Sequence, residues 1–162
     1  MRIASTSLIA LFALTISCFP LVTSSFAQAP ILQPSLDLSP EDVVSIQLKA
    51  LSDSENDPRT NSGIARVWAF AHPANRAVTG PLARFTMMLQ SPNYKALISH
   101  RAHHMRQISL TEDKAHFAIK ITSNGGDLLG YSWQLGKAKT GKYQGMWMTT
   151  GVSLVGKLGK AL

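Results

Sequence analysis

The chain has 162 residues, of which 45% are apolar, and a formal net charge of +7. This length suits one domain with a targeting segment, and the apolar content excludes a wholly disordered chain. Residues 28–60 contain six acids and two bases, a net charge of −4, whereas residues 61–162 contain thirteen bases and three acids, a net charge of +10. The bases are dispersed, with no run longer than Lys137-Ala138-Lys139. A dedicated nucleic-acid site is therefore not expected.

Residues 1–27 are predicted to be a secretory signal peptide. The apolar run from Leu8 to Val22 is interrupted by Pro20 and followed by small residues, a pattern typical of such a peptide. A transmembrane helix is a less suitable interpretation, because it needs about 18 uninterrupted apolar residues and Pro20 interrupts this run. Cleavage after Ala27 is preferred to cleavage after Ala29, because Pro30 would follow the second cut. We therefore expect an exported protein, periplasmic or secreted, with no membrane partner once the signal is removed.

Cys18 is the only cysteine of the chain and lies within this segment. It allows a lipoprotein attachment site, but the usual leucine three residues earlier is missing and the apolar run continues beyond it. A small apolar residue of the signal is the preferred interpretation. Removal of the signal would leave no cysteine, which excludes disulfides and thiol chemistry.

Residues 28–38 are a predicted linker, and residues 39–155 are a predicted single domain. The domain starts with a helix, because Ser39 is a favoured cap, Pro40 suits the first helical position and two acids follow. Its remaining sequence predicts an amphipathic helix of about three turns, with a face formed by Val43, Val44, Ile46, Gln47, Leu48 and Leu51.

The stretch from Gly63 to Phe85 is predicted to form a helix, a short polar joint and a second helix. Pro73 ends the first helix, because a residue that precedes proline is disfavoured in the α conformation. Thr79 is expected to cap the second helix. The apolar face of the first helix contains Ile64, Val67, Trp68 and Ala71, and that of the second contains Leu82, Phe85, Met88 and Leu89.

The polar joint contains two candidate site residues, Asn75 and Arg76. In a structural interpretation, Asn75 holds the joint, and Arg76 caps carbonyl groups or pairs with an acid. In a functional interpretation, the amide and the guanidinium face an anion at the rim of a pocket. Both interpretations remain open from the sequence.

The second half of the domain alternates between apolar and polar residues, which indicates strands. Strands are predicted at residues 106–111, 116–122, 129–135 and 143–155, with turns at residues 112–113 and 124–127. Residues 156–162 are a predicted basic tail that frays. Helices followed by antiparallel strands define an α+β domain. We expect the N-terminal helices to pack on a curved four-stranded antiparallel sheet and to enclose a pocket.

Two motifs of the chain resemble a known family. One is W-x-F-A-x-P-x-N-R-x-x-T-G-P, from Trp68 to Pro81, and the other is the segment from Gly145 to Val152. Together they are similar to an uncharacterised domain-of-unknown-function family of small bacterial and plant-plastid proteins. The resemblance implies a cystatin-type, nuclear-transport-factor-two-like fold over about residues 38–155. It implies no functional residues, because the family has no established activity.

Catalytic motifs are missing from the sequence. The cluster from His100 to His104 would place two histidines on one helical face, but no acid or cysteine is near to complete a metal site. No metal or cofactor is therefore expected. The candidates for acid–base chemistry are His72, His116 and Tyr131, and no acid is paired with them in the sequence.

The sequence favours a non-catalytic module that binds a small apolar or anionic ligand, or a partner protein. One alternative is a small isomerase- or dehydratase-like enzyme that uses a polar group in the cavity, and another is a structural domain that forms a homodimer through its sheet. The candidate ligand-binding residues are aromatic side chains and the polar pair of the joint: Trp68, Phe70, Asn75, Arg76, Trp133 and Trp147. The four aromatic residues are equally suited to a core.

Overall fold

A computed structural model describes residues 32–56 and 62–161. The predicted signal peptide, with Cys18 and both cleavage positions, lies outside the described residues. No helix in the described ranges is long and apolar enough to cross a membrane. These ranges contain helices α1 (Pro40–Ser52), α2 (Ser62–Ala69), α3 (Pro73–Thr79) and α4 (Leu82–Leu89), and strands β1 (Ala102–Leu110), β2 (Lys114–Thr122), β3 (Asp127–Lys137) and β4 (Trp147–Lys160). Short 3-10 turns lie at Asp53–Asn56, Lys95–Leu97 and Gly141–Tyr143.

The four strands form one open antiparallel sheet in the order β1-β2-β3-β4. Alternate residues point to opposite faces, and one face, here called the inner face, packs against the helices. The opposite face is called the outer face. The predicted α+β class, with N-terminal helices on a curved four-stranded antiparallel sheet, is confirmed. The buried residues that β2 and β3 contribute to the inner face are Ala115, Phe117, Ile119, Ile121, Tyr131, Trp133 and Leu135.

Helix α1 begins where the sequence predicts. The Ser39 hydroxyl accepts a hydrogen bond from the Asp42 N–H (3.1 Å), and the Asp42 carboxylate accepts one from the Ser39 N–H (2.9 Å), which forms a reciprocal capping box. Helix α2 crosses α1 closely at Gly63, where a Cβ atom would overlap the carbonyl oxygen of Ala50. The buried stripe of α1 comprises Pro40, Val43, Val44, Gln47, Leu48, Ala50 and Leu51.

The predicted polar joint is itself a helix, α3, which corrects the sequence prediction. Pro73 occupies the first turn of α3, where a missing N–H has no cost. His72 caps this helix, because its Nδ1 accepts a hydrogen bond from the Ala74 N–H (3.2 Å). Proline therefore marks the end of α2 and also the start of the next helix. Asn75 and Arg76 lie on α3.

Thr79 does not cap α4, contrary to the prediction. It is the last residue of α3, and its hydroxyl donates a hydrogen bond back to the Asn75 carbonyl (2.8 Å). The residue at the cap of α4 is Pro81, which makes no side-chain capping bond. The intervening Gly80 packs closely, since a Cβ atom there would lie 2.6 Å from the Arg76 carbonyl oxygen. The turn between α3 and α4 therefore requires a glycine at position 80. A rule that looks only for a capping side chain does not detect this requirement.

The junction between α2 and α3 pairs with the edge of β4. Ala71 forms a parallel bridge with Thr149. The Thr149 N–H donates to the Phe70 carbonyl (2.9 Å), and the His72 N–H donates to the Thr149 carbonyl (2.8 Å). These bonds fix the helices against the sheet beside the inner face.

Strand β4 extends to Lys160, which corrects the predicted end at Val155 and the predicted fraying tail at residues 156–162. Gly156 pairs with Gly130, and Lys160 pairs with Asp127. The alternation fails here because the register between β3 and β4 shifts at three places. Each shift is a β-bulge that adds one residue and reverses the alternation beyond it.

The described part of the predicted linker, residues 32–38, lies against the domain. Pro34 is buried, and Leu38 packs against the core. The Leu36 side chain lies close to Gly145, where a Cβ atom would be 3.1 Å from Leu36 Cδ2. The folded unit therefore begins before Ser39.

Candidate functional site

A cavity of about 120 Å³ lies between the helices and the inner face of the sheet. Its deep walls are buried apolar side chains from α1, α2, the junction between α2 and α3, α4 and the Lys95–Leu97 turn. Its part-buried lining residues lie on α3, α4, β4 and the loop just before the Lys95–Leu97 turn, and we call this region the mouth. The deep residues include Leu51, Val67, Ala71, Phe85, Leu89 and Leu97, and the mouth includes Asn75, Thr79, Met88, Tyr94, Gly151 and Val152.

The polar atoms at the base of the cavity form one hydrogen-bonded chain. Trp133 Nε1 donates to the Thr149 hydroxyl (3.1 Å), which donates to Gln47 Oε1 (2.6 Å). Gln47 Nε2 in turn donates to the Val67 carbonyl (3.2 Å). The three side chains are at most 3% exposed. Each of these three buried side chains therefore has a hydrogen-bond partner within the protein, which avoids the free-energy cost of an unsatisfied polar group.

At the mouth, the side chains are bonded mainly to backbone carbonyls. Asn75 Nδ2 donates to the Thr149 carbonyl (3.2 Å), and the Tyr94 hydroxyl donates to the Val152 carbonyl (3.1 Å). The Asn75 Oδ1 atom lies 3.5 Å from the Thr79 hydroxyl, which is too long for a strong hydrogen bond. Asn75 Oδ1 is therefore an available acceptor on a residue that lines the cavity.

Among the described residues, the cavity lining contains no carboxylate, imidazole, amine or thiol. The predicted acid–base candidates lie elsewhere. His116 points to the outer face and contacts the Ser132 hydroxyl (2.9 Å), and His72 caps α3. The Tyr131 hydroxyl donates to the Asn93 carbonyl (2.9 Å), and burial raises the pKa of Tyr131 to about 12. These three residues are not brought together.

Arg76 makes contacts within the protein. Its guanidinium lies 5.6 Å from the centre of the Trp68 ring and 5.2 Å from the centre of the Tyr143 ring. It donates to the Tyr143 hydroxyl (3.3 Å) and to the Ala69 carbonyl. This arrangement matches the structural interpretation, in which Arg76 caps a helix-end carbonyl. Arg76 does not line the cavity.

The four predicted aromatic residues occupy different environments. Trp133 lines the cavity, whereas Phe70 is fully buried in the core. Trp68 packs against Phe85 with ring centres 5.0 Å apart. Trp147 is part-buried against the core, with the Lys137 ammonium 5.1 Å from its ring centre. Of the six predicted ligand-binding residues, only Trp133 and Asn75 line the cavity.

Sequence reasoning missed Gln47, Tyr94 and Thr149 as lining residues. A signal existed for Gln47, because it lies one helical turn from both Val43 and Leu51, at the centre of the buried stripe of α1. A buried amide needs a partner, but nothing local in the sequence identifies Thr149 as that partner.

The predicted histidine cluster forms a pair. His100 is 4% exposed, its Nδ1 lies 2.7 Å from the Leu97 carbonyl, and its Nε2 lies 2.7 Å from His103 Nδ1. His104 points to the outer face instead, beside Lys120. Among the described residues, no group of three or more histidines, acids or cysteines is placed to hold a metal ion.

Comparison with protein-family models, with curated proteins and with solved structures finds no match to this chain. The fold and the geometry of the cavity are therefore the basis for a functional proposal.

Proposed function

We propose that the protein is a non-catalytic module that binds one small, mainly apolar ligand in the cavity between its helices and its sheet. The observation that carries this proposal is the chemistry of the lining among the described residues: apolar walls, a satisfied polar chain, no carboxylate, imidazole, amine or thiol, and one phenol, Tyr94, whose hydroxyl donates to the Val152 carbonyl. A lining without a carboxylate, an imidazole, an amine or a thiol, in which the one phenol already has a hydrogen-bond partner, favours binding over acid–base or covalent catalysis.

The volume indicates the size of the ligand. At about 120 Å³, the cavity is slightly smaller than the engineered apolar cavity of about 150 Å³ that binds benzene. A ligand with a single aromatic ring, or an aliphatic group of similar size, suits this space. Asn75 Oδ1 adds a preference for a ligand with one hydrogen-bond donor, because that acceptor has only a weak partner at 3.5 Å. Phenol is therefore a better probe than benzene.

The sequence expectations that remain untested are compatible with this function. The α+β arrangement supports the proposed relationship with cystatin-type, nuclear-transport-factor-two-like domains and with the domain-of-unknown-function family. The apolar N-terminal segment and its small-residue cleavage zone support export. An exported binding module would meet its ligand outside the cytoplasm.

The test is thermal unfolding with phenol and with benzene. At a ligand concentration about ten times the Kd, binding to the folded state adds about 1.4 kcal/mol of stability. Phenol should raise the Tm of the wild type more than benzene does. Absence of a Tm increase with either probe, up to its solubility, would contradict the proposal.

A pair of variants localises the binding. Val152 lines the mouth and pairs with Trp133, so Val152→Phe adds bulk to the cavity. Ser153 pairs with Ser132 and is exposed on the outer face, so Ser153→Phe adds the same ring on the opposite side. The phenol effect should disappear in Val152→Phe and persist in Ser153→Phe. An equal effect in both variants would place the binding outside the cavity.

A further inference from the structure

The outer face of the sheet carries an apolar trough of about 300 Å³ that runs across all four strands. Its floor includes Ala118 on β2 and Gly130 on β3, whose small or missing side chains leave the space between the two sides open. Val155 and Leu158 on β4 form one side of the trough, and His104, Arg106 and Lys120 form the other.

The two aliphatic side chains are placed by β-bulges. Tyr131 pairs with Leu154 and Gly130 with Gly156, so Val155 has no partner on β3. Likewise, Leu129 pairs with Lys157 and Leu128 with Gly159, so Leu158 has no partner. Bulges commonly redirect a side chain in this way. Val155 is 71% exposed and Leu158 is 57% exposed.

A sequence repeat encodes this arrangement. The triplets Val155-Gly156-Lys157 and Leu158-Gly159-Lys160 both read apolar, glycine, lysine. Gly156 has a φ of +154° and Gly159 a φ of +146°, values that only glycine adopts readily. Leu158 also packs directly over Gly130, because a Cβ atom on Gly130 would lie 3.4 Å from the methyl groups of Leu158.

The charge of the trough is positive. Arg106 and Lys120 are exposed, and His104 pairs across the strands with Lys120. None of the described residues that line the trough is an acid. In the described part of the chain, the salt bridges join Lys49 to Asp53 and Lys157 to Asp127, so neither Arg106 nor Lys120 is neutralised there. Protruding aliphatic groups next to unpaired cations complement an anionic amphiphilic surface.

We propose that the outer face docks on a lipid bilayer that contains anionic lipids. Val155 and Leu158 enter the interfacial region, while Arg106 and Lys120 contact the headgroups. A free fatty acid is a poorer occupant, because a ligand site encloses about 70–90% of its ligand, whereas these side chains protrude. A protein partner would need an anchor residue that is buried at the centre of the interface, whereas Arg106 lies at one side of the trough and the two aliphatic side chains form the other. This docking is independent of the cavity and differs from the sequence expectation of no membrane partner.

The test is co-sedimentation of the full chain with vesicles of phosphatidylcholine alone and of phosphatidylcholine with phosphatidylglycerol. Binding should need the anionic lipid and weaken at high salt. Arg106→Gln with Lys120→Gln should reduce the affinity about 25-fold, since each base near the surface contributes a factor of about five. Val155→Ser with Leu158→Ser should reduce it about tenfold or more.

A matched control is available on β1, the edge strand opposite β4. Ile108 is 46% exposed and Leu110 is 51% exposed, and neither lines the trough. Ile108→Ser with Leu110→Ser removes two exposed aliphatic groups and should change the affinity less than about twofold. Every variant carries the same residues 1–31, so their contribution to binding cancels in the comparison.

Three results would overturn the proposal: equal binding to neutral and anionic vesicles, an equal loss in the control variant, or binding of monomeric fatty acid without binding of vesicles. The phenol-dependent rise in Tm should persist in Val155→Ser with Leu158→Ser. Failure of membrane docking is therefore distinguishable from failure of the cavity to bind its ligand.

Discussion

The Thr149 hydroxyl on β4 donates a hydrogen bond of 2.6 Å to the Gln47 amide oxygen on α1, a residue 102 positions earlier in the chain. The same hydroxyl accepts from Trp133 Nε1 at 3.1 Å. One small side chain therefore satisfies two buried groups and ties the first helix to the last strand. Because the three side chains are nearly inaccessible to water, water cannot replace a lost partner.

Thr149→Val should lower the free energy of unfolding by about 2–6 kcal/mol, because it leaves Gln47 Oε1 and Trp133 Nε1 without partners at about 1–3 kcal/mol each. Urea unfolding of the purified protein measures this loss. Thr149→Ser keeps the hydroxyl and removes one methyl group, so it should cost only about 1 kcal/mol. Equal losses in the two variants would show that the hydroxyl is not needed.

A double-mutant cycle tests the pair directly. Gln47→Leu alone removes one partner of Thr149. Combined with Thr149→Val, it should cost less than the sum of the two single changes, because the amide oxygen that the valine leaves unsatisfied is already gone. Additive losses would mean that the two residues act separately in solution.

Asn75→Ala should lower the free energy of unfolding by about 1 kcal/mol, the usual net value of one hydrogen bond. The loss is limited because the Thr149 carbonyl also accepts from the His72 N–H and so stays satisfied. Gln134→Ala, at an exposed position of β3, is the control and should be nearly neutral. Unchanged stability with loss of the phenol effect would assign Asn75 to ligand binding and not to the structure.

Trp133→Ala should cost about 3–5 kcal/mol, the range for a large buried aromatic residue. Trp147→Ala should cost less, about 1–3 kcal/mol, because Trp147 is only part-buried and less of its area returns to water. Chemical unfolding of the two variants side by side gives the comparison. A larger loss for Trp147 would show that it is a main core residue.

The sequence predicts the fold best where structure is encoded locally. Strands β2 and β3 alternate without interruption, so the inward positions of Phe117, Ile119, Tyr131 and Trp133 follow from the period of two. The cap of α1 is equally local, because Ser39 and Asp42 are three residues apart. These features need no information about distant parts of the chain.

The features that the sequence did not reveal depend on non-local contacts or interrupted patterns. The bulge that skips Val155 reverses the alternation of β4, which hid the continuation of the strand to Lys160. The sequence identifies Trp133 and Asn75 as cavity residues but not Gln47 and Thr149. Gln47 and Thr149 meet across 102 positions, and no spacing rule connects them. Arg76 was ambiguous for the same reason, since its partner Tyr143 lies 67 positions away.

We expect the paired histidines His100 and His103 to make the stability of the domain sensitive to acid. Because His100 Nδ1 faces the Leu97 carbonyl at 2.7 Å, we assign its proton to Nδ1, and Nε2 then accepts from His103 Nδ1. Burial lowers the pKa of His100, although its bond to the Leu97 carbonyl and the charge of Asp53 oppose this shift. Burial, and then the charge of His100, lowers the pKa of His103.

A lowered pKa in the folded state means that the unfolded chain binds more protons below the ordinary value of 6.5. The contribution of this pair to stability is therefore complete above pH 6.5 and is lost as the pH falls towards the folded-state values. Burial also lowers the pKa of His72, which acts in the same direction. Urea unfolding at a series of pH values should show stability that decreases as the pH falls below 6.5.

His103→Gln should reduce this decrease, because it removes one titrating ring and the repulsion that would follow protonation of both. His104→Gln is the matched control, since His104 is the next residue of β1 but points to the outer face. The control should keep the wild-type pH dependence. An unchanged profile in His103→Gln, or an equal change in His104→Gln, would show that the hydrogen-bonded pair is not the source of the acid sensitivity.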